Sequence, residues 1–168
     1  MSNLVIRKLD KDDDINDFKS GNHRLDYFFK SYAKNNQFIS HIGVTYVAII
    51  DTKIVGFATV VSAEIGCDYL APETAKNLPK YSMPVLRLAR LAVDENFQAS
   101  GIGSQLLKNA ILIAKKMKTE YGCIGILVDS KPESIGFYKK YGFDSLDITK
   151  GGLDHYPEPI PMFLSINY

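Results

Sequence analysis

The 168-residue chain has no tryptophan and only two cysteines, Cys67 and Cys123. Two isolated cysteines give neither a disulfide framework nor the ligand spacing of a zinc site, and they indicate buried small side chains in a reducing compartment. No run of 18 apolar residues occurs, which argues against a membrane span. The N-terminus also lacks the basic-then-apolar order of a signal peptide. We therefore expect a cytoplasmic protein with no membrane association.

A strong charge of either sign is also absent, because 20 basic and 19 acidic residues leave a net charge of +1. This balance argues against a strongly basic coat for nucleic acid, although a local basic patch stays open. The apolar content of 46% and charged content of 23% are those of an ordinary globular protein. The length predicts a single domain over 1–168.

The sequence predicts no metal site. The acidic run at 10–14 imitates the start of a calcium loop, but that loop needs glycine at its sixth position and glutamate at its twelfth. Here those positions hold Ile15 and Gly21. The histidines are scattered without ligand spacing: His23, His41 and His155.

Hydrophobic periodicity predicts an alternation of strands and helices typical of an α/β protein. The predicted strands are 4–9, 44–50, 54–61, 85–93, 122–129, 144–148 and 161–168, with a hairpin joining the second and third and a loop at 150–159. The predicted helices are 25–37, 101–118 and 131–143, with a loop or short helix at 73–77.

A glycine-containing loop follows the predicted strand 85–93 and opens the helix 101–118. Its sequence is "QASGIGS" over 98–104. A helix N-terminus offers about four unpartnered backbone N–H groups and roughly half a positive charge, and glycines let an anion approach them. The dinucleotide and Walker fingerprints do not match. The loop alone leaves two interpretations open, a phosphate-binding cradle and a plain tight turn.

Two stretches of sequence favour the phosphate-binding cradle over the plain turn. "LARLAVDENFQASGIGSQLL" and, further along, "ILVDSKPESIGFYKKYGF" resemble the GCN5-related N-acetyltransferase (GNAT) family in their pyrophosphate loop and their Phe-Tyr-containing helix. The resemblance implies an α/β fold with a mixed, mostly antiparallel sheet of six or seven strands. It further implies helices on both faces, a splayed central parallel pair of strands, and acetyl-CoA as the acetyl donor.

The resemblance also implies a set of site residues. The pantetheine arm would lie along the strand at Leu91, Ala92 and Val93, with the Leu91 N–H as a candidate oxyanion donor. The pyrophosphate would lie on the backbone amides of Gln98, Ala99, Ser100, Gly101, Ile102, Gly103 and Ser104. Tyr138 would be the general acid, since a phenol with a pKa of about 10 can donate to a leaving thiolate.

The acceptor side carries arginines where many relatives place a glutamate base. Arg87 and Arg90 predict an acceptor that bears phosphate or carboxylate, although internal ion pairs are an equal alternative. Glu64 could act as a base through water. Without a strong base, an α-amine of pKa about 7.8 is the better nucleophile, because more than about 10% of it is neutral at pH 7, against about 0.04% of a lysine.

A closer resemblance concerns "FKSGNHRLDYFFKSYAKNNQ" and "YSMPVLRLARLAVD", which are similar to the GNAT toxins of toxin–antitoxin pairs. This implies acetylation of the α-amine of aminoacyl-tRNA, with Arg87 and Arg90 facing the acceptor end. It also implies a ribbon-helix-helix-type antitoxin as partner and a homodimer. The alternatives are a GNAT enzyme acting on a small amine, a peptide N-terminus or a lysine, and a non-catalytic CoA-binding module.

Overall fold

The computed structural model describes residues 3–146 and 159–166. The chain divides into two compact units, one comprising Met1–Val61 with Leu88–Ile113, the other Ser62–Arg87 with Ala114–Tyr168. We describe each unit by itself, and a single domain over 1–168 stays a prediction. The predicted loop at 150–159 lies, apart from Pro159, outside the described residues, as does His155.

Within the described residues, seven strands form one mixed sheet. They are β1 (Leu4–Lys8), β2 (Val44–Ile50), β3 (Lys53–Ile65), β4 (Met83–Val93), β5 (Gly125–Ser130), β6 (Asp144–Ser145) and β7 (Ile160–Ser165). Their order is β1-β2-β3-β4-β5-β7-β6. The pairs β1–β2, β2–β3, β5–β7 and β6–β7 are antiparallel, and β4–β5 is the parallel pair. This confirms the predicted α/β class and the mostly antiparallel sheet with a parallel pair.

Five α-helices are present in the described part of the chain. They are α1 (His23–Ser31), α2 (Ala33–Phe38), α3 (Pro72–Ala75), α4 (Ile102–Glu120) and α5 (Ile135–Lys140), with 3₁₀ turns at Cys67–Tyr69 and Pro132–Ser134. The prediction of one continuous helix over 25–37 is wrong. The chain breaks at Tyr32, where φ is −124° and ψ is −27°, so α1 ends and α2 begins around that residue.

The predicted hairpin is confirmed, with a turn of two residues. Ile50 pairs with Lys53, and between them Asp51 and Thr52 have φ values of 48° and 69°. Positive φ at both central residues is the mark of a type I′ turn, whose twist matches that of the flanking strands. The turn therefore sets the register that carries β3 alongside β2.

The first unit is built around aromatic rings. Phe29 and Phe57 stack with centroids 4.3 Å apart and planes 4° apart, and Phe18 meets both edge-on. Close packing continues at Gly56, where an added Cβ would lie 3.0 Å from Leu106 and 3.1 Å from Ile102. A side chain here would crowd these two residues, so the glycine favours the close approach of β3 to the start of α4.

The second unit has its own core, made of Ile65, Leu70, Met83, Val85, Ile124 and Phe163. Across residues 3–146 and 159–166, no helix combines the length and the apolar character that crossing a membrane requires.

Candidate active site

A buried aspartate fixes the chain where β4 ends. The Asp94 N–H donates to the carbonyl of Val55 at 2.8 Å, which continues the pairing toward β3. Its carboxylate accepts from the N–H of Lys19 at 3.2 Å and from that of Asn96 at 3.0 Å. A buried carboxylate that accepts backbone N–H groups is satisfied locally. Asp94 therefore holds the first turn of the loop and is not available as a base.

The side chain of Gln98 also holds the loop. Its Nε2 donates to the carbonyl of Ser20 at 2.7 Å and to that of Val93 at 3.0 Å. The Glu95 N–H donates to the Lys19 carbonyl at 2.7 Å. The loop is thus tied both to its own strand and to the chain segment before α1. Gln98 was predicted to offer its backbone amide to a diphosphate, and its side chain is what positions that backbone.

The exposed part of the loop turns through two residues with positive φ. Ala99 has φ of 59° and Gly101 has φ of 88°. An added Cβ at Gly101 would meet no atom within 4 Å, so space does not require this glycine. Its backbone conformation does, because L side chains rarely adopt it. The Ser100 hydroxyl donates to the Phe97 carbonyl and closes the same turn.

Helix α4 begins directly after this turn. Its first intrahelical bond runs from the Gln105 N–H to the Gly101 carbonyl at 3.1 Å. The three preceding N–H groups of the helix therefore have no intrahelical acceptor, and they belong to Ile102, Gly103 and Ser104. With the macrodipole behind them, these amides suit an anionic ligand. That they bind a pyrophosphate stays a prediction.

The last residues of β4 precede the loop. Ala92 is buried, while Leu91 and Val93 are partly exposed. The Val93 carbonyl is engaged by Gln98, which links the predicted pantetheine strand to the predicted pyrophosphate loop. The structure thus brings these two sets of predicted residues together in the first unit. Their roles toward a ligand stay predictions.

Tyr138 lies in α5, in the second unit, and is only 6% exposed. Its ring meets Phe137 edge-on at 5.1 Å and Phe143 at 5.4 Å. Burial among these rings raises the pKa of Tyr138 to about 12, because the phenolate would lose its hydration. The phenol therefore stays protonated throughout the physiological range, as a general acid requires.

Arg87 forms an ion pair with Asp129, which lies on β5 in the same unit. The alternative left open by the sequence, an internal ion pair, is therefore confirmed for this arginine. Both side chains remain partly exposed, at 44% and 34%. An exposed pair of this kind contributes only about 0–1 kcal/mol to stability and exchanges readily for another anion. Substrate binding by Arg87 stays a prediction.

Arg90 has a different environment. The central carbon of its guanidinium lies 3.7 Å from the centre of the Phe28 ring, and Phe28 is buried beneath it in α1. Stacking on a ring leaves the edge of a guanidinium directed sideways, where its N–H groups form bidentate bonds to oxyanions. Among the residues predicted from sequence, Phe28 was assigned only to a helix, since nothing in its spacing pointed to Arg90.

Glu64 is exposed on β3. Nothing in the second unit assigns it the role of a base. Among the described residues, no three His, Cys, Asp or Glu side chains lie close enough to hold a metal ion.

The family profile of the acetyltransferase (GNAT) domain matches residues 41–145. The chain is also 30% identical over 139 residues to the tRNA-acetylating toxin of Mycobacterium tuberculosis (strain ATCC 25618 / H37Rv), covering 82% of each chain. The fold, the glycine loop at the start of α4 and these matches define an N-acetyltransferase that uses acetyl-CoA. The chain belongs to the GNAT family, as its two sequence blocks predicted.

Solved structures have the same fold. AtaT complexed with acetyl-methionyl-tRNAfMet superposes with a TM-score of 0.83 at 22% identity, covering 97% of this chain and 95% of that one. A tyrosine-to-phenylalanine mutant of AtaT bound to the C-terminus of the antitoxin AtaR and acetyl-CoA has a TM-score of 0.74 at 20% identity, covering 97% and 93%. These likenesses confirm the predicted GNAT fold.

Proposed function

We propose that this N-acetyltransferase acetylates the α-amine of the amino acid on aminoacyl-tRNA and acts as the toxin of a toxin–antitoxin pair. The observation that carries the proposal is the 30% identity, over 82% of both chains, to a protein named as a tRNA-acetylating toxin. The similarly folded AtaT holds acetyl-methionyl-tRNAfMet, which agrees with this assignment.

The donor would bind along one continuous segment. The pantetheine arm would follow Leu91, Ala92 and Val93, and the pyrophosphate would accept hydrogen bonds from amides of the loop 98–104. The hydrogen bonds of Gln98 and Asp94 hold that loop in place. A preformed loop lowers the ordering cost of binding, which supports a diphosphate site built from backbone alone.

In the transfer step, the neutral amine nitrogen forms a bond to the acetyl carbonyl carbon. The Leu91 N–H is our candidate donor to the oxyanion that develops. The carbon–sulfur bond then breaks while the Tyr138 hydroxyl donates a hydrogen bond to the departing sulfur; the new amide loses a proton to solvent, and the thiolate takes one from solvent. Because the pKa of Tyr138 is about 12 and that of a thiol about 8.5, complete transfer would be uphill. The phenol therefore acts best as a strong hydrogen-bond donor while the bond is breaking.

The pKa of the acceptor amine and the positive charge of Arg90 support aminoacyl-tRNA as the acceptor. An α-amine needs no strong base at pH 7, whereas a lysine does. Arg90, stacked on Phe28, offers a positive group to an acceptor that carries phosphate. A ribbon-helix-helix-type antitoxin, a homodimer and action in the cytoplasm complete the proposal. AtaT bound to the C-terminus of its antitoxin AtaR is in line with an antitoxin partner, though not with any particular type of antitoxin.

The experiment is transfer of label from acetyl-CoA by the purified protein to total charged tRNA, and in parallel to free amino acids and lysine peptides. We expect label on charged tRNA. Tyr138→Phe should abolish most of it, while Tyr141→Phe, one turn further along the chain, should not. Label confined to small amines or peptides would instead establish an ordinary GNAT enzyme. Binding of acetyl-CoA without any transfer would establish a non-catalytic module.

A further inference from the structure

The outer face of α1 carries a row of exposed aromatic rings. Tyr27 is 55% exposed and Tyr32 is 46% exposed. Their rings meet edge-on with centroids 5.6 Å apart, and His23 stacks on Tyr27 at 6.4 Å with planes 25° apart. We call these three residues the aromatic row. Contiguous exposed patches of this kind, unlike single exposed side chains, mark interaction sites.

The break between α1 and α2 builds this row. Residues 23 and 27 are four apart, so they lie one above the other on a helix. Residues 27 and 32 are five apart, and at about 100° per residue a continuous helix would place them about 140° away from each other. Their ring contact therefore depends on the non-helical backbone of Tyr32. The break at Tyr32, which no glycine or proline causes, thus lengthens the aromatic surface.

The exposed charges on α1 are positive. Arg24 and Lys30 are exposed on α1, and neither forms an ion pair within residues 3–146 and 159–166. The one acid of the helix, Asp26, accepts from the N–H of Ser20 at 2.9 Å and from its hydroxyl at 2.7 Å. Its charge is therefore engaged in the turn that precedes the helix. The surface presents ring faces together with unpaired cations.

We infer that the aromatic row is a stacking surface for the unpaired 3′ nucleotides of the tRNA acceptor end, with Arg24 and Lys30 facing its phosphates. The inference rests on the proposed function, since it names the part of the acceptor that this surface holds. Single strands are bound by aromatic side chains that stack on bases and by cations that follow the backbone. Both components are present here on α1 and its C-terminal flanking residue, Tyr32.

The composition of this face favours nucleic acid over a protein partner. The exposed residues of α1 include no aliphatic side chain, and they are His23, Arg24, Tyr27, Lys30 and Ser31. Protein interfaces are depleted in lysine at their centres and bury apolar side chains there. Unpaired cations beside ring faces match a polyanion whose bases are unstacked.

The experiment measures binding of deacylated tRNA and acetylation of charged tRNA by full-length variants. We expect Tyr27→Ala and Tyr32→Ala each to weaken tRNA binding about tenfold, which is within the contribution of one base–aromatic stack. Tyr27→Phe should restore it. Tyr81→Ala and Tyr121→Ala are matched controls, because these tyrosines are 68% and 73% exposed in the second unit. Lys30→Gln should lower the slope of log affinity against log salt by about 0.7.

Different results would overturn the stacking inference and the proposed acetylation of tRNA. If wild type acetylates charged tRNA and Tyr27→Ala binds and acetylates it equally well, the stacking inference alone is overturned. If wild type neither binds nor acetylates tRNA, both proposals are overturned. A change in the oligomeric state of Tyr27→Ala on gel filtration, with tRNA binding intact, would assign the row to a protein interface instead.

Discussion

The guanidinium carbon of Arg90 lies 3.7 Å above the centre of the Phe28 ring, which joins β4 to α1. A flexible side chain is thereby held against the ring, which restricts the orientation of its guanidinium. Holding it in advance lowers the entropy cost of a bidentate bond to an oxyanion. Phe28 is in this sense a positioning residue for Arg90.

Phe28→Leu should therefore weaken binding of the acceptor without changing binding of acetyl-CoA. Loss of the ring removes the support of Arg90, and we expect the KM for the charged acceptor to rise about three- to tenfold. The Kd for acetyl-CoA should stay within twofold. Steady-state kinetics and calorimetry measure the two quantities. Phe29→Leu is the control, because Phe29 stacks on Phe57 and belongs to the same core, while the ring beneath the Arg90 guanidinium is that of Phe28. Equal effects of both variants on KM would refute the positioning role.

Arg87→Ala and Asp129→Asn separate substrate binding from an internal ion pair. If Arg87 binds the acceptor, its loss should lower kcat/KM for charged tRNA about tenfold, whereas Asp129→Asn frees the guanidinium and should leave kcat/KM unchanged or raised. Thermal unfolding should change little in either variant, because the pair is partly exposed. Matching losses of activity in both variants would instead mean that the pair itself is needed.

Gly101→Ala should weaken acetyl-CoA binding more than it lowers stability. Alanine at φ of 88° is strained by about 1–2 kcal/mol, and relief of that strain would turn the loop amides away from the ligand. We expect at least a tenfold higher Kd by calorimetry. Gly122→Ala is matched, since φ there is 96° and the nearest atom to an added Cβ is 4.0 Å away. It should show a similar loss of thermal stability with an unchanged Kd. A Kd unaffected by Gly101→Ala would remove the loop from the donor site.

The raised pKa of Tyr138 predicts the shape of the pH profile. A group with a pKa of about 12 remains protonated as pH rises to 10, so the acid is not lost in this range. The activity should rise as the acceptor amine deprotonates near pH 7.8 and then stay level. We would measure kcat/KM from pH 6 to 9.5 with an amino-acid amide, which resists hydrolysis. A fall in kcat/KM above pH 8.5 that disappears in Tyr138→Phe would contradict this pKa.

The raised pKa of Tyr138 should also make the free energy of unfolding fall at high pH. The folded-state pKa lies above the unfolded value of about 10, so the contribution is complete below pH 10 and is lost as pH rises toward 12. The free energy of unfolding of wild type should therefore fall more steeply over this interval than that of Tyr138→Phe. Urea titrations at pH 9 and pH 11 compare the two proteins, and parallel behaviour would refute the burial of the phenol.

Local patterns were enough to predict most of the elements, because period-two and period-3.6 signals depend on neighbours in the chain. The long amphipathic run of α4 and the β-branched runs of β2 and β3 are of this kind. The break at Tyr32 was not predictable, because no glycine or proline marks it and a ring contact with Tyr27 accompanies it. A helix boundary that no glycine or proline marks leaves no signal in the hydrophobic period.

The site residues also differ in whether the sequence could predict them. The glycine loop was visible because its chemistry is contained in seven consecutive residues. The partners of the two arginines were not, since Asp129 is 42 positions from Arg87 and Phe28 lies on a helix far earlier in the chain. Gln98 was assigned through its backbone, and the role of its side chain emerged only from the carbonyls of Ser20 and Val93. Contacts of this range depend on the folded chain and not on spacing.

The short turn at residues 19–22 has bonds in two directions. Toward the loop, Lys19 bonds to Asp94 and Glu95, and Ser20 accepts from Gln98. Toward α1, Ser20 bonds to Asp26, and Asn22 caps the helix through the Leu25 N–H. The same few residues therefore hold both the loop predicted to bind the donor and the helix that carries the aromatic row. If donor binding shifts this turn, donor and acceptor occupancy would be thermodynamically linked, and each ligand would alter the affinity for the other by the same factor.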